Sequence, residues 1–87
     1  MKNVLIMPRA FDELNYWAAE DGRIVSKIFA LVKDIQRDAF HGLGKPEPMR
    51  HKYQGFWSRR ITRAHRLVYS VSDDQIVIVA CRFHYDK

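Results

Sequence analysis

Apolar residues follow three different rhythms along this chain. Val4-Leu5-Ile6-Met7 is a compact apolar run closed by Pro8, and it reads as a short buried strand. Pro8 also suits the first turn of a helix, where a missing N–H costs nothing. Phe11, Leu14, Trp17 and Ala18 then recur at helical spacing, until Glu20-Asp21-Gly22 interrupts them. Asp21 is placed to cap a second helix. Ile24, Val25, Ile28, Leu31, Val32 and Ile35 give that helix a full apolar stripe, to about Asp38.

From Ala39 to Arg50 the rhythm vanishes. His41 to Pro48 contains two glycines and two prolines, which is loop chemistry. Strand-like runs follow at Phe56–Thr62, Leu67–Ser72 and Gln75–Phe83, with a turn at Asp73-Asp74. The continuous run Val77 to Ala80 marks the last strand as central and covered on both faces. A further short strand fits near Met49–Tyr53. The predicted fold is α+β over a single domain, residues 1–87. It has an N-terminal strand, an αα-hairpin and then three to four antiparallel strands, in one sheet with both helices packed on one face. A connection of three or five residues around Arg63-Ala64 would set Arg60 opposite Arg66; other lengths would separate them.

Composition narrows the class. At 87 residues there is room for one core only. No apolar run approaches the ~18 residues that span a bilayer, and the N-terminal run is too short for a signal-peptide core. A lone cysteine, Cys81, excludes an internal disulfide and sits in an apolar strand as a small core residue. A cytoplasmic location without membrane contact is the expectation.

The net charge of +5 sharpens this further, because all of the excess lies in 22 residues. Residues 45–66 carry Lys45, Arg50, Lys52, Arg59, Arg60, Arg63 and Arg66 against Glu47 alone. Residues 1–44 are neutral, and residues 67–87 are slightly acidic. Tyr53, Phe56 and Trp57 are interleaved with the cations, a pattern that suits a nucleic-acid strand. Glu47 lies between Pro46 and Pro48, which stiffen the backbone that carries it. A Pro-x-Pro that only ends a loop and begins an edge strand is the plainer reading.

Metal-dependent nucleases need clustered carboxylates, and the basic segment offers one. The histidines His41, His51, His65 and His84 lack metal-ligand spacing. No metal or cofactor is therefore expected. RNA carries its own nucleophile, the 2′-hydroxyl, so cleavage needs a base, an acid and cations for the phosphorane. Glu47, His84 and a choice among Arg59, Arg60 and Arg66 could supply them. A solvated His84 at a strand end is the plainer alternative.

These segments resemble the YoeB/Txe toxins of the RelE/ParE superfamily. The resemblance is carried by Tyr16-Trp17, Arg23-Ile24-Val25, Gly42 to Pro48, Gly55 to Thr62, His65 to Tyr69, and Ala80 to Tyr85. It implies a metal-independent endoribonuclease that cuts mRNA in the ribosomal A site and inhibits translation. It implies Glu47 as general base, Arg66 as phosphate stabiliser and His84 as general acid. Arg60 and Tyr85 would line the site, with Lys45, Arg50 and Arg59 as further RNA-binding residues. Arg50 stands where the family pattern has lysine, and Asp86-Lys87 extends past the family's usual His-Tyr end.

The resemblance also implies a YefM/Axe/Phd-like antitoxin whose acidic C-terminal segment covers the basic face. The toxin–antitoxin complex would repress its own operon, and a homodimer is compatible. A non-catalytic RNA- or antitoxin-binding module of the same fold is the alternative. A DNA-binding repressor fits less well, because neither predicted helix carries the charge.

Overall fold

The structure is a computed structural model that describes residues 1–83. The chain runs β1 (Asn3–Ile6), α1 (Pro8–Glu20), α2 (Gly22–Arg37), β2 (Glu47–Pro48), a 3₁₀ turn (His51–Tyr53), β3 (Trp57–Arg60), β4 (Arg66–Val71) and β5 (Gln75–Ala80). One five-stranded sheet has the order β1-β5-β4-β3-β2. β1 pairs with β5 in parallel and the other pairs are antiparallel. The α+β expectation therefore holds, with a parallel N-terminal edge added to the antiparallel sheet. No helix is long and apolar enough to cross a membrane among the described residues.

Both helices pack on one face. Ala10 and Trp17 of α1 and Ile28, Leu31 and Ile35 of α2 bury against Leu67, Tyr69, Ile76 and Ile78 of the sheet. Asp21 caps α2 as expected, its carboxylate accepting the Arg23 N–H at 3.1 Å. The α2 stripe also holds in full, since its six apolar positions all lie in or against this core.

The α1 stripe is rotated by about one residue from its predicted phase. Ala10, Glu13 and Trp17 are buried, whereas Phe11 is 63% exposed. The displaced member is Glu13, a polar residue that hydrophobic spacing cannot register. Its carboxylate accepts the Cys81 N–H at 2.7 Å and meets Arg9 Nε at 3.2 Å, and these contacts offset its burial.

β1 was expected to be buried. Instead Leu5 and Ile6 are 43% and 37% exposed, because β1 is an edge strand with a neighbour on one side only. β5 is an interior strand flanked by β1 and β4, so β4 is the central one. The predicted short strand near Met49–Tyr53 is a 3₁₀ turn, and the short strand lies one step earlier at Glu47–Pro48.

The register of β4 and β5 slips once. Val68 pairs with Ala80 while Tyr69 pairs with Ile78, leaving Val79 unpaired. Val79 and Ala80 both join a second, smaller cluster with Val68, Met49, Tyr53 and Phe56 on the face away from the helices.

Candidate active site

The ladder positions of β2, β3 and β4 determine which charges meet. Glu47 pairs with Ser58, and Ser58 with Val68. The β3–β4 connection has five residues, Ile61 to His65, so Arg60 lies opposite Arg66. This is one of the two lengths that bring those arginines together. Glu47, Ser58, Arg60 and Arg66 therefore share the face away from the helices.

Arg66 is buried on this face, and its Nη1 lies 3.4 Å from Glu47 Oε1 and 3.3 Å from Ser58 Oγ. The Glu47 side chain is 59% exposed. A fixed guanidinium thus stands under a carboxylate that faces solvent. As an ion pair this contributes at most about 1 kcal/mol to stability, so its interest is chemical.

Local sequence explains the mounting of Glu47. Pro48 occupies an edge strand, where its missing N–H leaves no interior ladder bond unmade. Met49 follows as a buried plug in the small cluster and donates its N–H to Phe56 O at 2.9 Å. The plainer reading of Pro-Glu-Pro is thus correct about the backbone, and Glu47 still meets Arg66. Upstream, Gly44 has φ +77°, and its carbonyl accepts the Arg60 N–H at 2.6 Å. A Cβ on Gly44 would lie 2.9 Å from Arg60 O, so only glycine lets the loop approach β3 this closely.

Arg59 is a correction. It is fully buried and faces the helices, so it is not an RNA-binding residue of this surface. Its guanidinium makes an ion pair with Asp34 and donates to the carbonyls of Leu43, Asp38 and His41, and to the Tyr69 hydroxyl. Tyr69 in turn donates to Ala39 O at 2.7 Å. Arg59 therefore holds the end of α2 and the following loop, which lead to Glu47. Strand alternation carried the missing signal, since adjacent residues in a strand face opposite sides.

Asp34 is the other residue that sequence reading missed. Hydrogen bonds from Arg37, then from the Leu43 N–H and from Arg59, hold its carboxyl well below the usual carboxylate range against the opposing effect of burial.

The remaining expected residues divide clearly. Lys45, Arg50 and Arg60 are exposed. His84 and Tyr85 lie outside the described residues. The three interleaved aromatics mainly serve packing. Trp57 packs on the helix-side core and against Phe40, while Tyr53 and Phe56 lean on the small cluster. Cys81 is buried, and burial followed by the nearby Glu13 charge pushes its thiol up to about 12, so it is a core residue and not a nucleophile. Among the described residues no group of three or more His, Cys, Asp or Glu is arranged to hold a metal ion.

The fold is shared with solved bacterial toxins. A YoeB dimer from Staphylococcus aureus superposes with a TM-score of 0.90 at 42% identity, covering 97% of this chain and 98% of that one. A heterotetrameric YoeB–YefM toxin–antitoxin complex from the same organism gives 0.88 at 42% identity, covering 98% and 99%. Toxin YoeB of Escherichia coli K12 is 57% identical over 76 residues, 87% of this chain and 90% of that protein. Residues 6–85 match the family model of YoeB-like toxins of bacterial type II toxin–antitoxin systems, and the chain belongs to that family.

Proposed function

We propose that this toxin is a ribosome-dependent endoribonuclease that cuts mRNA in the A site without a metal. The observation that carries the reading is the Glu47–Arg66 pair at 3.4 Å, the one acid of the basic segment set against a buried arginine. Glu47 would take the proton of a 2′-hydroxyl as that oxygen attacks the adjacent phosphorus. Arg66 would stabilise the charge gathering on the phosphorane. His84 would protonate the departing 5′-oxygen, leaving a 2′,3′-cyclic phosphate and a 5′-hydroxyl. Exposed Lys45, Arg50 and Arg60 would hold flanking phosphates, with Tyr85 lining the site.

The same basic face suits an antitoxin with an acidic C-terminal segment, which would occupy it in place of RNA. The YoeB–YefM relative supports such a partner, and the YoeB dimer supports self-association. The toxin–antitoxin pair would repress its operon in the cytoplasm.

Glu47→Gln, Arg66→Ala and His84→Gln are each expected to slow mRNA cleavage about 10²-fold or more while the protein stays folded. Translation arrest at the wild-type rate by the Glu47→Gln/His84→Gln double variant would overturn the catalytic reading in favour of a pure binding module.

A further inference from the structure

The segment leaving β5 is fastened residue by residue. The Cys81 N–H donates to Glu13 Oε1 at 2.7 Å, and the Cys81 carbonyl accepts from Trp17 Nε1 at 2.9 Å. The Arg82 guanidinium lies 3.5 Å from the Tyr16 ring centroid. The Phe83 N–H donates to His65 Nδ1 at 2.7 Å, and the Phe83 carbonyl accepts the Arg66 N–H at 3.0 Å. Two consecutive residues, the last of the β3–β4 connection and the first of β4, thus hold both backbone groups of Phe83.

Phe83 also has φ +74°, a left-handed conformation that costs a bulky residue about 1–3 kcal/mol. Such a conformation persists only where its surroundings over-determine it. His65 is itself fixed, with its ring 4.8 Å edge-on from Trp17. Because Nδ1 accepts a backbone N–H, the ring must be the neutral Nε2–H tautomer. His84 is the next residue in the chain after Phe83.

We propose that His65 is a positioning residue whose unprotonated Nδ1 locks the backbone of Phe83, the residue that immediately precedes His84 in the chain. This rests on the general-acid reading of His84 given above. His65 touches no reacting group; it acts through the Phe83 backbone. A displacement of about 1 Å at a reacting group can cost on the order of 10²-fold in rate, so loss of the lock is read in kcat rather than KM.

The test compares His65→Leu, which removes the acceptor, with His65→Asn, whose side-chain oxygen can replace Nδ1. Phe83 amide hydrogen exchange and single-turnover mRNA cleavage on ribosomes are measured for both. His65→Leu is expected to speed Phe83 exchange at least about tenfold and to lower kcat about 10- to 100-fold with KM little changed. His65→Asn is expected to restore most of both. Wild-type Phe83 protection in His65→Leu, wild-type cleavage despite lost protection, or an Asn variant as impaired as Leu would each overturn the proposal. If His65→Leu does not fold, His65→Gln, with its amide one methylene farther out, replaces it under the same criteria.

His84→Gln separates the two readings. Wild-type cleavage by that variant refutes the general-acid assignment and the positioning role of His65 that depends on it. Impaired cleavage by His84→Gln beside an unaffected His65→Leu refutes the positioning role alone.

Discussion

Arg59 and Arg60 are neighbours in the chain and stand on opposite faces of the sheet. Arg59 is buried against Asp34 on the helix side, while Arg60 is exposed and pairs across the ladder with Arg66. Two identical side chains thus have separate work. Arg59→Ala leaves Asp34 partly unpaired and opens a cavity, and is expected to cost about 3–5 kcal/mol in urea denaturation. Arg60→Ala is expected to change stability by less than about 0.5 kcal/mol while weakening RNA binding and flattening its salt dependence. Equal stability losses in the two variants would contradict this division.

Asp34 makes stability acid-sensitive. Its carboxyl is depressed by Arg37, the Leu43 N–H and Arg59, so the unfolded chain takes up a proton where the folded one does not. The stability it contributes is therefore fully present above the unfolded carboxylate pKa, about 3.9, and is lost as pH falls below it. The stability gap between wild type and Asp34→Asn should shrink as pH drops from 6 to 3. Urea midpoints measured across that range check this, and a constant gap would count against it.

His65 adds a second dependence near neutrality. Burial first, then the Arg82 cation, lowers its pKa, and Glu13 opposes them. Between the unfolded pKa of about 6.5 and the lower folded value, the unfolded state binds the extra proton. Stability is thus expected to fall as pH decreases through that interval, and the slope should be absent in His65→Asn.

Gly44 and Gly55 both have positive φ, at +77° and +96°, but differ in surroundings. A Cβ at Gly44 meets Arg60 O and Leu31, whereas nothing lies within 4 Å at Gly55. Gly55→Ala carries the conformational cost alone, about 1 kcal/mol, while Gly44→Ala should cost clearly more and also impair cleavage by moving the loop before Glu47. Thermal melts of the two variants, with Tm shifts of similar size, would refute the close approach at Gly44.

How much of this was legible depended on the kind of signal. The α2 stripe and the Asp21 cap could be read because every position obeyed one rule. The α1 phase could not, since Glu13 is buried by a hydrogen bond from Cys81, 68 residues away. The exposure of β1 follows from strand order, which no local pattern encodes. Within the site, Glu47 stood out by charge alone, and Arg66 was one of three candidate arginines. The register puts Arg60 and Arg66 on the face of Glu47 and turns Arg59 away, and of those two it is Arg66 whose guanidinium lies 3.4 Å from Glu47. Asp34 is hidden in the sequence because no local pattern shows that its partner Arg59 faces the helices and not solvent.

The most direct measurement maps mRNA ends on ribosomes paused at a defined A-site codon, with wild-type toxin and with Glu47→Gln. The expected result is a new end in that codon carrying a 5′-hydroxyl, paired with a 2′,3′-cyclic phosphate upstream, and formed about 10²-fold more slowly by Glu47→Gln. Ends carrying a 5′-phosphate, or equal rates for the two proteins, would contradict Glu47 as the base of a metal-free cleavage.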